Sequence, residues 1–296
     1  MTFNICLINN YNNGKFLEPC LGSVISQSTP FDQIILVDDG SHDDSLLVLE
    51  KFKSTQTNLI VLEKKNGGQV SVFNFAKHYI SDDSQVFFLD ADDMYPCNYL
   101  ESVLIAMDQK KWDFAYCDHH VFDHCLLMPL ISAKKTNDAN IVFSSTSAIA
   151  RSRQCWIGNL TSSISISGLL FRQIFPYPAE RHETLFADDI TIFASSILGA
   201  QKIYLPSIAI NWRSHGSNNS KKLYSSEQVN SRNNSINKLF NFYCQQYKIP
   251  RYPSFVEFSK ELRLLDSSWR MRLGFPGAIK MFNRLLRQRL YSYFLG

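Results

Sequence analysis

The 296-residue sequence contains no run approaching the roughly 18 apolar residues that a membrane-spanning helix needs. It opens Met1-Thr2-Phe3-Asn4-Ile5-Cys6, without the basic start and long apolar stretch of a secretory leader. Its seven cysteines (6, 20, 97, 117, 125, 155 and 244) include no CxxC pair, and their odd number and scatter suit a reducing compartment. The net charge is only +3, so no global excess of charge points to nucleic acid. No internal repeat or low-complexity tract is present. What remains is an ordinary globular composition, 45% hydrophobic and 19% charged, expected in the cytoplasm and long enough for one large domain with an extension.

The first 107 residues alternate short apolar runs with stretches of helical spacing. Strands are expected over 3–8, 33–37, 58–62 and 85–89, and helices over 16–26, 43–53, 70–79 and 96–107. This alternation predicts a mostly parallel sheet covered on both faces. Each strand ends in polar or small residues: Asn9–Asn12, Asp38–Ser41, Asn66–Gln69 and Asp90–Asp93. Right-handed crossovers bring all four ends to one edge of the sheet, where ligands of open α/β sheets bind.

The fourth end is the most informative. Phe87-Phe88-Leu89-Asp90-Ala91-Asp92-Asp93 delivers three carboxylates within four residues. Like charges that close repel, and a hard divalent cation would relieve the repulsion. Gly67-Gly68 ahead of a helix permits close backbone approach and offers N–H groups to an anion.

Further along, residues 114–122 read as a strand, 123–147 mainly as loop, 163–171 as a strand and 186–198 as a helix closed by Gly199. Residues 204–205 and 208–212 read as short strands bracketing Pro206, and 213–220 as a polar loop. Beyond about residue 220 three helices are expected, over 225–247, 253–273 and 277–294. The last carries Lys280, Arg284, Arg287 and Arg289 among Met281, Phe282, Leu285, Leu286, Leu290, Tyr291 and Phe294. Such a basic amphipathic helix can lie on an anionic membrane surface or pack on protein. Cys117-Asp118-His119-His120 with His124-Cys125 has the composition of a zinc site but not its spacing, and reads as a strand and loop.

Four motifs in order, Leu7-Ile8-Asn9-Asn10-Tyr11-Asn12, Val37-Asp38-Asp39-Gly40-Ser41, Asn66-Gly67-Gly68-Gln69 and Leu89-Asp90-Ala91-Asp92-Asp93, resemble those of the family 2 glycosyltransferases. Ala187-Asp188, Gly199 and Trp212-Arg213-Ser214-His215-Gly216-Ser217-Asn218 extend the resemblance to about residue 219. It implies the α/β GT-A fold, Rossmann-like with a mostly parallel sheet, over residues 1–220, with a nucleotide-sugar half (1–95) and an acceptor half (96–220). Residues 221–296 are expected to form an α-helical C-terminal extension.

The resemblance also implies roles. Asn9, Tyr11 and Asp39 would hold a uracil base, Gly68, Gln69 and Arg213 the rest of the nucleotide sugar, and Asp90 the ribose hydroxyls. Asp92 would bind Mn²⁺ or Mg²⁺, with His215 as a further ligand, and Asp93 would serve either this site or the N-terminus of the next helix. An inverting transfer needs a carboxylate base, for which Asp188 and Asp189 are both available. The family's Glu-Asp pair becomes Ala187-Asp188 or Asp188-Asp189, and spacing to Gly199 and His215 favours Asp188. The implied partners are a nucleoside diphosphate sugar, UDP-linked, and a glycan or lipid-linked acceptor. Two other readings are a sugar-nucleotide-binding module without activity, since Ala187 departs from the acidic pattern, and a sugar nucleotidyltransferase, which the non-basic Asn9–Gly14 turn disfavours.

Overall fold

A computed structural model of the chain describes residues 2–108, 112–123, 139–179, 185–216 and 225–265. The expected helix at 277–294, with its basic residues, lies outside these, as do His124, Cys125, Ser217 and Asn218.

Strands β1 (Phe3–Asn10), β2 (Gln33–Asp38), β3 (Leu59–Glu63) and β4 (Ser84–Asp90) alternate with helices α1 (Gly14–Ile25), α2 (Ser45–Lys53) and α3 (Gln69–Ala76), and α4 (Tyr99–Ala106) follows. Next come β5 (Phe114–Asp123), β6 (Ile141–Phe143), α5 (Ser147–Arg153), β7 (Ile164–Ser167), α6 (Gly168–Ile174), α7 (Ala187–Ile197), β8 (Lys202–Ser214), α8 (Ser226–Gln246) and α9 (Phe255–Leu264). The eight strands form one sheet in the order β3-β2-β1-β4-β7-β5-β8-β6. β1 to β4 are mutually parallel, β7 runs antiparallel between β4 and β5, and β8 is parallel to β5.

The apolar runs are continuous because both faces of the central strands are covered. Cys6 and Ile8 face α1 and α4, whereas Ile5 and Leu7 face α3 and α7. On the second face Phe73, Phe88, Phe171 and Phe175 interlock, with ring centroids 4.8 Å apart for the closest pair. Truncating one such ring to alanine costs roughly 3–5 kcal/mol. α8 joins this same core through Ile236, Leu239, Phe240 and Tyr243, and the Tyr243 hydroxyl donates to the Ile174 carbonyl at 2.7 Å.

Three expectations are corrected. Residues 163–171 are not one strand: β7 ends at Ser167, whose Oγ accepts the Leu170 N–H at 3.2 Å and starts α6. Gly168 is required there because a Cβ would meet the Ser81 carbonyl oxygen at 1.9 Å. The two short strands near residue 206 are one strand, β8, whose register to β5 slips between Leu205 and Ala209. That irregularity takes up Pro206, which has no N–H to give a ladder. The region 123–147 is not wholly loop, since β6 lies within it, on the open side of β8.

Candidate active site

The parallel pairing brings the ends of β1, β2, β3 and β4 to one edge, as the sequence predicts. Asp90, Asp92 and Asp93 cluster there, with one carboxylate oxygen from each within 4.8 Å of the others. They form the one such group of potential metal ligands among the described residues. Their surroundings differ. Asp93 is buried, and its two oxygens accept from Ser162 Oγ (2.5 Å) and the Arg213 backbone N–H (2.9 Å). It ties the β4 turn to β8 and does not cap α4. Asp90 faces Gln69, whose Nε2 donates to Oδ1 at 2.9 Å. Burial, then the charge of Asp92, pushes Asp90 up to about 7. Burial raises Asp93 as well, with Asp92 and Asp90 adding to it. Asp92 is more open, with its Oδ2 lying 2.7 Å from His215 Nε2.

Crowded carboxylates held against their ionised form, with one more open oxygen donor and an imidazole beside it, fit a hard divalent cation. Asp92 and Asp90 are the residues placed to hold it, since Asp93 is committed to protein groups.

Arg213 is not on a flexible loop. It is the penultimate residue of β8, fully buried, and its Nε donates to the Asp92 carbonyl at 2.8 Å. Its guanidinium stacks between the rings of Phe16 (4.8 Å) and Phe122 (4.5 Å). A polar stretch of sequence conceals this position because the stacking partners come from α1 and β5. His215 packs on Phe16 from the same side, with ring centroids 5.1 Å apart.

Around the expected base pocket, Tyr11 is exposed (45%) and available to stack, and Asn9 projects its Oδ1 without a partner. Asp39 is fully engaged. Its oxygens accept from the N–H groups of Gly67 (3.0 Å) and Gly68 (2.7 Å), from Asn66 Nδ2, and from the ammonium of Lys64. Gly68 has φ +84°, a conformation glycine adopts without strain, and launches α3 directly after these contacts. Neighbouring Asp38 accepts from Asn10 Nδ2 (2.7 Å) and Ser41 (2.6 Å to Oγ), which folds the β2 turn.

Helix α7 brings the two remaining acids to the opposite side of the cluster. Asp189 is almost wholly buried. Its Oδ1 accepts from Arg232 Nη2 of α8 at 2.6 Å and its Oδ2 from the Phe186 N–H at 3.1 Å, and the Trp156 indole also bonds to it. Among the described residues no cation is bonded to the Asp188 carboxylate, and the charge of Arg232 is the least of the influences on it. Its Oδ1 accepts the next residue's N–H, at 2.8 Å. Burial, then Asp189 and Asp90, pushes Asp188 up to about 8.

Ser162, Arg232 and Trp156 were not singled out by the sequence. Ser162 sits in an ordinary serine-rich run, and Arg232 meets Asp189 across 43 residues with no local pattern to mark it. Trp156, 43% exposed on the segment after α5, had no periodic context.

Comparison with known proteins finds similarity in sequence and in fold. The chain is 26% identical over 214 residues to an uncharacterized glycosyltransferase, alr2836, of Nostoc sp., covering 72% of this chain and 65% of the relative. It is 35% identical over 117 residues to the minor teichoic acid biosynthesis protein GgaA of Bacillus subtilis, covering 38% of this chain and 24% of that one. The matched region thus spans about two thirds of the first relative and a quarter of the second. In fold the chain resembles S. aureus TarS (residues 1–349) in complex with UDP-GlcNAc, with TM-score 0.59 and 18% identity over 82% of this chain and 66% of TarS, which places its sheet and helices in the GT-A class. Residues 6–127, from the first strand through the carboxylate cluster and β5, match the family described as Glycosyl transferase family 2.

Proposed function

We propose that the protein is a metal-dependent inverting glycosyltransferase. It moves one sugar from a nucleoside diphosphate sugar, UDP-linked, to a hydroxyl of a glycan or lipid-linked acceptor. The observation that carries this reading is the pairing of two acidic centres across one edge of the sheet. One is a carboxylate cluster at the end of β4. The other is a single carboxylate with no cation bonded to it among the described residues, Asp188, at the start of α7.

Asp92 and Asp90 would hold Mn²⁺ or Mg²⁺, with His215 fixing Asp92. The ion, when bound, supplies Lewis-acid charge for the leaving diphosphate. Asp90 and Asn9 line the donor side, and Tyr11 offers a ring to the base. Asp188 takes the proton of the acceptor hydroxyl as that oxygen attacks the anomeric carbon. A carboxylate whose proton affinity has been raised by burial toward neutral pH is matched to that task. Asp189 is the poorer base, because Arg232 neutralises it and its second oxygen caps α7. We place the protein in the cytoplasm, touching the membrane surface through its basic segment near residues 270–289. No helix among the described residues is long and apolar enough to cross a membrane.

Thermal denaturation with a panel of UDP-sugars, GDP-mannose and free UDP, each with and without Mn²⁺, tests the reading. A UDP-sugar should raise the midpoint only with the metal, by linkage. Equal midpoints with every nucleotide would refute it.

A further inference from the structure

Gln69 sits where three parts of the site meet. It is the first residue of α3, and the chain reaches it through Gly67 and Gly68, whose N–H groups are fixed on Asp39. Its amide spans a gap. Nε2 donates to Asp90 Oδ1 at 2.9 Å and lies 3.4 Å from Thr161 Oγ1, and Oε1 accepts the Ala187 N–H at 3.0 Å. Ala187 is the residue before Asp188 and opens the helix that carries it. The orientation of the amide is unambiguous. The Ala187 backbone N–H can only donate, so the amide oxygen must face α7 and the nitrogen Asp90.

The amide does both jobs at once, donating to Asp90 and accepting from Ala187. Glutamate would keep an acceptor for Ala187 but set a second charge against Asp90. Leucine fills similar space and bonds to neither. The rest of α3 is also bound to the acceptor half, since Asn74 donates to the Tyr177 carbonyl and accepts the Tyr177 N–H, both at 2.8 Å. α3 is therefore fastened at its start to the donor carboxylate and the α7 N-terminus, and along its length to the segment before α7.

We infer that Gln69 is a positioning residue: its amide sets the separation and orientation of Asp188 relative to Asp90, and so holds the base in line with the donor sugar. The inference rests on the function proposed above, in which Asp188 is the base. It assigns Gln69 a role through Asp188, beyond a donor contact. Because the same turn is anchored on Asp39, nucleotide that engages Asp39 also acts on the seat of Gln69, which ties donor occupancy to the readiness of the base.

The test uses the full chain with Mn²⁺ and whichever of UDP-glucose, UDP-galactose or UDP-GlcNAc the wild type hydrolyses, with water as the acceptor. Gln69→Leu, Gln69→Glu, Asp188→Asn and the Gln69→Leu/Asp188→Asn pair are compared for kcat, KM, UDP affinity by calorimetry and thermal midpoint. Gln69→Leu is expected to lower kcat about 10- to 100-fold, the penalty of a misplaced group, with UDP affinity within about threefold of wild type. In the Asp188→Asn background it should cause no further loss, because it acts through that residue. Gln69→Glu should retain more kcat than Gln69→Leu and raise KM instead, since α7 keeps its acceptor while Asp90 gains a repulsive neighbour. It also serves as the informative variant should Gln69→Leu fail to fold. A raised KM with unchanged kcat in Gln69→Leu would make Gln69 a donor contact and overturn the inference. An equal loss with and without Asp188 would overturn it too. A wild type that binds and hydrolyses no UDP-sugar overturns the function itself and the inference with it, whereas a Leu variant as fast as an active wild type overturns the inference alone.

Discussion

Replacing Asp188 with asparagine should cut turnover to a small residual rate and make the protein more stable. The carboxyl lies between Asp189 and Asp90 in a partly buried setting that pushes it from the usual 3.8 to about 8. A folded-state value above the unfolded one means that the folded protein holds the proton more tightly. This acid therefore subtracts nothing below pH 4 and subtracts progressively more as pH rises toward 8. At pH 7 the linkage is about 4 kcal/mol, from about 1.4 kcal/mol per unit. Relaxation of solvent and side chains around a group that retains some exposure absorbs part of this, leaving about 1–3 kcal/mol, or roughly 3–9 °C in Tm. Asparagine keeps Oδ1 to accept the Asp189 N–H and removes the charge, so the gain should appear without a lost hydrogen bond. The assay is thermal melting of both proteins in chelator from pH 5 to 8, alongside donor turnover. The difference in Tm should widen with pH. A difference that is flat with pH, or a variant less stable than wild type at pH 8, would refute the assignment of a strained, uncompensated carboxyl to this position.

Three further outcomes follow from the same geometry. In the active enzyme kcat/KM should rise with pH through about 8, as Asp188 loses its proton, and a profile that falls over that range would point to a different base. Arg232→Ala should cost about 2–3 kcal/mol at pH 7 by stranding the buried Asp189 carboxylate, and the deficit should shrink toward pH 5 as that acid takes up a proton; adding Asp189→Asn should recover part of the loss in urea denaturation. Asp92→Ala should abolish the Mn²⁺-dependent rise in Tm with UDP while leaving the Tm of the protein alone within about 2 °C, since the side chain is partly open and its firm partner among the described residues is His215.

The strand ends were legible because each combines an apolar run with turn chemistry, and parallel topology does the rest. The positions of Asp90, Asp92 and Asp188 were legible for the same reason: acids at strand ends or helix starts are conspicuous against apolar surroundings. The failures have a common cause in contacts distant along the chain. Arg213 lies in a run rich in Ser, Asn and Gly, and only Phe16 and Phe122 make it a buried strand residue. β7 and α6 were read as one strand because Ser-Ile-Ser-Ile-Ser alternates, while the stop at Gly168 depends on a carbonyl from the turn before β4. Asp93, expected to serve either this site or the N-terminus of α4, accepts from Ser162 and from the backbone of β8. The committed state of Asp39 could not be read either, since nothing local announces that Lys64 returns to it.

That last contact bears on the nucleotide recognition proposed for Asp39. With four donors already on its carboxylate, Asp39 has no lone pair left to offer. A nucleobase that takes Asp39 as its acceptor does so by exchange, evicting the Lys64 ammonium or the glycine turn, and not by simple addition. The observed affinity is then the intrinsic one scaled by the fraction of molecules with the turn displaced. On the function proposed above, Lys64 and the glycine amides would compete to reclaim the site once the sugar had left, favouring release of the spent nucleotide over tight retention.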